Sequence, residues 1–307
     1  MRVFVIGGTG AIGGHAVPAL VRAGHQVTAL SRSPEKSERL RHQGAMPLAA
    51  SIFDHNALAR AFAGHDAVVN LSSAIPPTAH FMRRRAWAAN DRVRSEGSAA
   101  VAGAAIAAGV GRVVQESVCM IYRDRGRDWI DEDWATDRFP MALPNHAAES
   151  SVNRFTTDGG IGVVLRFGWF YGPGAAHSEE FFALARKGLA IMMGARQGYV
   201  SSIHVEDAGA AVSAALSIAA GTYNIVDDEP LAKGDYADAL AKAAGRRHWL
   251  RVPGRLALLL CDRSTSLTRS LRVSNTRFKA VTRWTPLYPS AREGWQAMGD
   301  ASVDRLP

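Results

Sequence analysis

Residues 2–14 read RVFVIGGTGAIGG, an apolar run that passes directly into three glycines, Gly7, Gly10 and Gly13, spaced three apart. The run has the length and β-branched content of a buried strand. The residues after the glycines keep a helical apolar spacing to about Ala23. Strand, glycine turn and helix in that order put the unpaired N–H groups of a helix start beside the glycines, where they attract phosphate. A Cβ at these positions would obstruct the tight turn, the approach of a pyrophosphate to the backbone, and the packing of helix on strand. Gly7, Thr9, Gly10, Ala11, Ile12 and Gly13 are therefore expected to form a dinucleotide-binding loop.

The same alternation continues outward from this loop. Candidate strands are QVTALSR, the segment near Met46 to Ala50, DAVVNLS, GRVVQES and IGVVLRF, and the Ala-rich run from Ser98 to Gly109 reads as a buried helix between two of them. Parallel strands joined by right-handed helical crossovers make an α/β, doubly wound parallel sheet of the Rossmann type. After YGPG at Tyr171 to Gly174 the alternation stops. It returns with a helix over Val205 to Ile218 and a strand over Thr222 to Val226, a unit expected to rejoin the sheet. The expected division is a dinucleotide-binding domain of residues 1–170 plus 203–226, and a smaller substrate-binding lobe of residues 171–202 plus 227–307.

The second candidate strand ends in Leu30, Ser31 and Arg32, with Ser33 and Lys36 close behind and no carboxylate. An acid at this point would bond the ribose hydroxyls of NAD. A guanidinium instead forks onto a phosphate with two hydrogen bonds. Ser31 and Arg32 thus point to the 2′-phosphate, and NADP(H) is the expected cofactor.

The 307 residues are 47% hydrophobic and 21% charged, enough to bury a core without covalent staples. Cys119 and Cys261 have neither metal-ligand nor redox spacing, and the ten histidines form no His-x-x-x-His pair, so no metal site is expected. The window from Arg246 to Arg283 holds ten Lys/Arg against one acid, Asp262, so it accounts for the whole net charge of +8 and the rest of the protein is near neutral. Without aromatic interleaving or a groove-reading motif, that window argues for a solvated face or an anionic small-molecule substrate rather than nucleic acid. The chain opens on strand-like residues with no charged leader, and Leu256 to Cys261 is too short to span a bilayer and reads as part of a core helix. The expectation is a cytoplasmic protein with a small-molecule substrate, no nucleic-acid partner and no membrane. Its oligomeric state is open.

Taken together, GGTGAIG, NLSSA, Asn90 with Gly97, VVQESVCMIY, LRFGWFYGPG, SSIHVEDAGAA and YNIVDDEP, in this order, resemble the extended, or atypical, short-chain dehydrogenase/reductase family, also described as NAD-dependent epimerase/dehydratase-like. The resemblance implies further cofactor contacts from Leu71, Ser72 and Ser73, from Gln115 and Glu116, and from Phe167. In that family a Ser or Thr polarises the substrate oxygen, a Tyr exchanges the proton, and a Lys four residues later lowers the tyrosine pKa. Here the serine position falls on Ser117 or on Val118. Where Tyr-x-x-x-Lys should stand the chain has Asn145 and Glu149, and the string occurs nowhere else. An amide has no useful titration, so Asn145 and Glu149 are not read as a disguised proton relay.

The remaining candidates for catalysis are Ser117, Tyr122 and His204. Tyr122 either faces the nicotinamide or is wall. His204 either shuttles a proton or caps the helix that Asp207 helps to start. Arg166 is read as a structural anchor, and Trp169, Phe170, Trp249 and Trp284 as the lining of an apolar pocket. The leading expectation is an NADPH-dependent ketoreductase of a bulky, aromatic-polyketide-like secondary metabolite, resembling atypical members that tailor antibiotics such as angucyclinones. The alternatives are an NADP-dependent epimerase or dehydratase and a non-catalytic NADP-sensing regulator.

Overall fold

In the computed structural model, which describes residues 1–81, 83–190, 192–246 and 265–303, the apolar runs extend and pair as the alternation predicts. The strands are β1 (Arg2–Ile6), β2 (Gln26–Ser31), β3 (Met46–Ala49), β4 (Ala67–Asn70), β5 (Arg112–Val118), β6 (Ile161–Phe167) and β7 (Gly221–Ile225). They form one parallel sheet in the order β7-β6-β5-β4-β1-β2-β3. The late strand does rejoin the sheet, as an edge beside β6, with Tyr223 opposite Leu165. The chain runs outward from β1 through β2 to β3 and then crosses back to β4 on the other side of β1. That reversal opens a crevice at the C-terminal ends of β1 and β4, where ligands of such sheets bind.

The inner strands are buried along almost their whole length because both faces are covered, and their polar residues gather toward the C-terminal ends, at Asn70, Gln115, Glu116, Ser117 and Arg166. Helices α1 (Gly13–Arg22) and, later in the chain, Val205–Ala214 pack on one face with Val3, Val5, Val17, Leu20 and Val212. A Cβ on Gly209 would lie 2.7 Å from the backbone of His15, so these two helices touch through glycine. Helices α2 (Pro34–His42), α3 (His55–Phe62), α4 (Ser98–Ala107) and α5 (Leu143–Thr157) complete the crossovers. Of these, α3, α4 and α5 cover the opposite face with Phe62, Val101, Ala105, Val152 and Phe155. Ser33 and Asp54 start α2 and α3 by accepting from the N–H groups of Lys36 and Ala57.

Beyond β6 the structure changes character. Helices α6 (Ala176–Arg186), α7 (the Val205–Ala214 helix), α8 (Lys233–Ala243) and α9 (Ala291–Val303) follow, and α6, α8 and α9 share an apolar cluster around Tyr171, Tyr236 and Trp295. Three two-residue or three-residue strand pairs tie this region together, among them Trp169–Tyr171 with Ser202–His204 and Arg272–Val273 with Trp129–Ile130.

Trp284 is a correction to the sequence expectation. It sits in the sheet core against Phe278, with its indole N–H donating to the Asp207 carbonyl, rather than in a pocket wall. Trp249 and the run Leu256 to Cys261 lie outside the described residues. Several cations of the basic window are neutralised locally, Arg269 by Asp137, Arg277 by Glu132 and Asp133, and Lys279 by Asp228. Among the described residues no helix is long and apolar enough to cross a membrane.

Candidate active site

The three glycines do different work. Gly7 has a φ of +83°, and a Cβ on it would lie 2.6 Å from the Leu71 carbonyl oxygen, so β1 and the end of β4 can approach only through glycine. A Cβ on Gly13 would lie 2.1 Å from the Gly7 oxygen, which seats the start of α1 on the turn. Gly10 differs, because its Cβ would meet only the Gly7 oxygen, at 3.3 Å, and otherwise point into open space. That space lies at the N-terminus of α1, which carries no acidic residue in its first turn and no side-chain cap. Residues and geometry fit a diphosphate held by Thr9, Gly10, Ala11 and Ile12.

At the end of β2, Ser31 is buried and donates to the Ser33 carbonyl, while the Arg32 guanidinium is exposed and has no polar partner among the described residues. Across the crevice, the Ser72 N–H and hydroxyl both reach Asn70 Oδ1, and Ser73 is exposed next to it. Gln115, Glu116 and Phe167 are buried beneath. Gln115 Oε1 accepts from Asn70, and Glu116 Oε1 accepts from Arg94 at 2.7 Å.

A cleft of about 220 Å³ opens from the strand ends toward α6. Its walls are mainly apolar, aromatic at Phe81, Trp87, Phe139, Trp169, Phe170 and Phe181, and its polar members include Asn90, Arg94, Asn145 and His177. Strand alternation decides between the two serine-position candidates. Val118 lines the cleft, whereas Ser117, one residue earlier and turned the other way, is fully buried and donates to Glu149 Oε1 at 2.7 Å. Asn145 also lines the cleft. Its Nδ2 donates to the Met141 carbonyl, and its Oδ1 has no partner among the described residues.

One helical turn after Asn145, Glu149 points inward to a cluster built on Arg166. The guanidinium clamps the carboxylate through Nε to Oε1 (2.9 Å) and Nη2 to Oε2 (2.7 Å). Its Nη1 donates to the Tyr122 hydroxyl, which donates in turn to Asn224 Oδ1. Tyr122 is fully buried, and burial pushes its phenol well above the usual range. His204 stands apart from the cleft. Its Nδ1 accepts from the Glu206 N–H at 3.4 Å as a helix cap, its ring lies 4.1 Å from that of Tyr288, and burial pulls its pKa down to about 4. The structure thus brings Ser117 and Tyr122 together through Arg166, away from the cleft surface, and leaves His204 elsewhere.

Two cleft residues escaped sequence reasoning. Arg94 lies in a π-helical turn, Val93–Gly97, a distortion common where a helix serves a site. It is buried, and its Nη1 and the Glu116 Oε2 have no hydrogen-bond partners among the described residues. An arginine four residues before an Ala-rich buried helix was the available signal. His177, whose Nε2 lies 2.7 Å from the Phe170 carbonyl, has its pKa lowered by burial, and nothing in its sequence surroundings marked it.

Residues 7–173 match the model of a family described as NAD(P)H-binding. The chain is 32% identical to a 3-diazoavenalumate denitrifying reductase from a species of Streptomyces, over 96% of this chain and 99% of that one. It is 30% identical, over 56% of this chain and 51% of the other, to a 4-hydroxy-2-methyl-3-oxo-4-farnesyl-3,4-dihydroquinoline-1-oxide ketoreductase from Stigmatella aurantiaca. The fold is that of a UDP-glucose 4-epimerase from Thermotoga maritima, with a TM-score of 0.81, 21% identity and full coverage of both chains.

Proposed function

The chain belongs to the NAD(P)H-binding family, with the fold of the extended short-chain dehydrogenase/reductases, and from that premise we propose that it is an NADPH-dependent reductase of bulky aromatic metabolites. One observation carries the reading. The cleft at the end of β5 has mainly apolar walls that include six Phe and Trp rings, and it presents Val118 and Asn145 where the family resemblance would put a hydroxyl and a proton donor. A sugar nucleotide would find few polar partners on such walls. An epimerase or dehydratase would also need a side chain to take the hydroxyl proton, and Asn145 cannot.

When bound, the cofactor supplies a hydride. For a ketone, our first reading and the activity named in the Stigmatella relative, the alkoxide that forms must be stabilised in an apolar surround. Arg94 fits that role through its unpartnered Nη1. Arginine stays charged, so it stabilises without protonating, and the proton comes from water or from an acidic hydroxyl of the substrate.

A second acceptor is favoured by the lack of an acid and by the Streptomyces relative. Hydride added to an aryl diazonium, with loss of N2, gives the arene and consumes no proton. The test is single-turnover oxidation of NADPH carrying deuterium at both C4 positions, with aromatic ketones and with aryl diazonium salts. Product carrying one deuterium, with N2 evolved in the diazonium case, is expected. Substitution of Arg94 by Met should slow ketone reduction about a hundredfold, the loss seen for one oxyanion donor. Tight NADPH binding with no oxidation by either class would leave the cofactor-sensing regulator as the reading.

A further inference from the structure

The cleft adjoins an inner chamber of about 90 Å³, with Met120, Trp169, Phe181 and Met193 shared by both walls. The chamber has room for about three water molecules. Its polar wall groups are nearly all spent inside the protein. Ser201 donates to the Leu271 carbonyl and accepts from the Val273 N–H, and the Arg269 guanidinium is held by the Tyr122 carbonyl and Asp137.

Lys233 is the exception. It is the first residue of α8 and is only 3% exposed. Its Nζ donates to the carbonyls of Met193 (2.7 Å) and Leu267 (2.6 Å). An ammonium carries three N–H donors, and the third has no partner among the described residues. No carboxylate among the described residues pairs with it either. Two effects disfavour a cation in this place, desolvation and the positive end of the helix dipole, and the Asp124 carboxylate, which makes no ion pair with it, offsets them only in part. Burial accordingly pulls the Lys233 pKa down to about 8, which leaves the group mostly charged at neutral pH. The Lys233 and Gly234 N–H groups are already bonded to the Gly198 and Arg196 carbonyls, so the ammonium, and not the helix backbone, is the free donor.

We propose that the inner chamber receives the carboxylate of an aromatic acid, with Lys233 as its counter-ion and the ring lying in the cleft against the stacked pair Trp169 and Phe181. The inference rests on the cleft being the substrate site. A carboxylate suits the chamber better than a phenol, because at neutral pH only the former is fully ionised.

The probe is 2-naphthoate against 2-naphthamide, titrated into the NADP⁺-loaded protein and followed by quenching of tryptophan fluorescence. The acid should bind about tenfold or more tightly than the amide. Lys233→Gln, which keeps a donor for the two carbonyls, should reduce that preference to about twofold, and Lys233→Arg should retain it. Equal affinities in the wild type, or a preference that survives Lys233→Gln, overturns the proposal. If Lys233→Gln fails to fold, judged by its melting and NADP⁺ affinity, the ratios in the wild type and in Lys233→Arg decide. No turnover is read, so a protein that reduces nothing can still show the preference, and an active reductase can still lack it.

Discussion

Replacing Glu149 by Lys would restore one half of the family's proton-transfer pair, and the structure argues that the protein cannot accept it. Glu149 takes two hydrogen bonds from Arg166, at 2.9 and 2.7 Å, and one from Ser117 at 2.7 Å, in a site where all three residues are buried. Removing the carboxylate leaves the Arg166 guanidinium unpaired, at about 3–5 kcal/mol. A lysine adds a second cation at the same contact, so this figure is a lower bound. Typical domains hold about 5–15 kcal/mol in all. Glu149→Lys should therefore lower the melting temperature by on the order of 10 °C or unfold the chain, and supply no working proton relay even with Asn145→Tyr added. The double replacement Glu149→Met with Arg166→Met removes both charges and should be more stable than Glu149→Met alone by about 1 kcal/mol or more. Urea unfolding of the three variants is the assay. A Glu149→Lys protein as stable as wild type, or a double variant less stable than Glu149→Met, would refute the account of the cluster as a buried, mutually dependent ion pair.

Three further outcomes are expected. Gly10→Val should keep the wild-type melting temperature while weakening NADPH binding at least about tenfold, whereas Gly13→Val should destabilise the fold itself, because only the second Cβ collides with backbone. Equal melting of the two would contradict the separate roles. Arg32→Ala should cost about tenfold in NADPH affinity and leave NADH binding unchanged, measured by cofactor fluorescence; unchanged NADPH affinity would remove the 2′-phosphate argument. Burial holds His204 near 4 against an ordinary 6.5, so the unfolded state binds the extra proton between those values. Stability should then fall as the pH drops through that window, by up to about 3 kcal/mol more in wild type than in His204→Asn, as read by unfolding at a series of pH values. Parallel profiles would show that His204 is not held neutral.

Much of the fold was legible because its signals are short-range. The β-branched runs, the glycine turn after Ile6 and the return of a strand near Thr222 each declare themselves within a dozen residues, and each took its place in the sheet. The two ends of the basic window were legible only as charge. Which acids would neutralise Arg269, Arg277 and Lys279 depended on segments more than fifty residues away.

The catalytic region was the least legible for the same reason. Ser117 and Val118 are neighbours in the chain, and only the strand's orientation in the sheet turned Val118 to the cleft and Ser117 to Glu149. The surroundings of Tyr122 were equally hidden, because its hydroxyl donates to Asn224, 102 residues later, and accepts from Arg166.

By itself, then, the amino-acid sequence determined the doubly wound sheet, the glycine cradle and the lack of a Tyr-x-x-x-Lys pair, because backbone sterics and strand and helix periodicity act on adjacent residues. Only the tertiary structure decided that Glu149 answers Arg166, that Arg94 reaches the cleft wall, and that Lys233 is buried with no ion-pair partner among the described residues. Burial and charge pairing are settled by which distant segments meet, and removing a group from water gives it an energy that its sequence neighbours do not reveal.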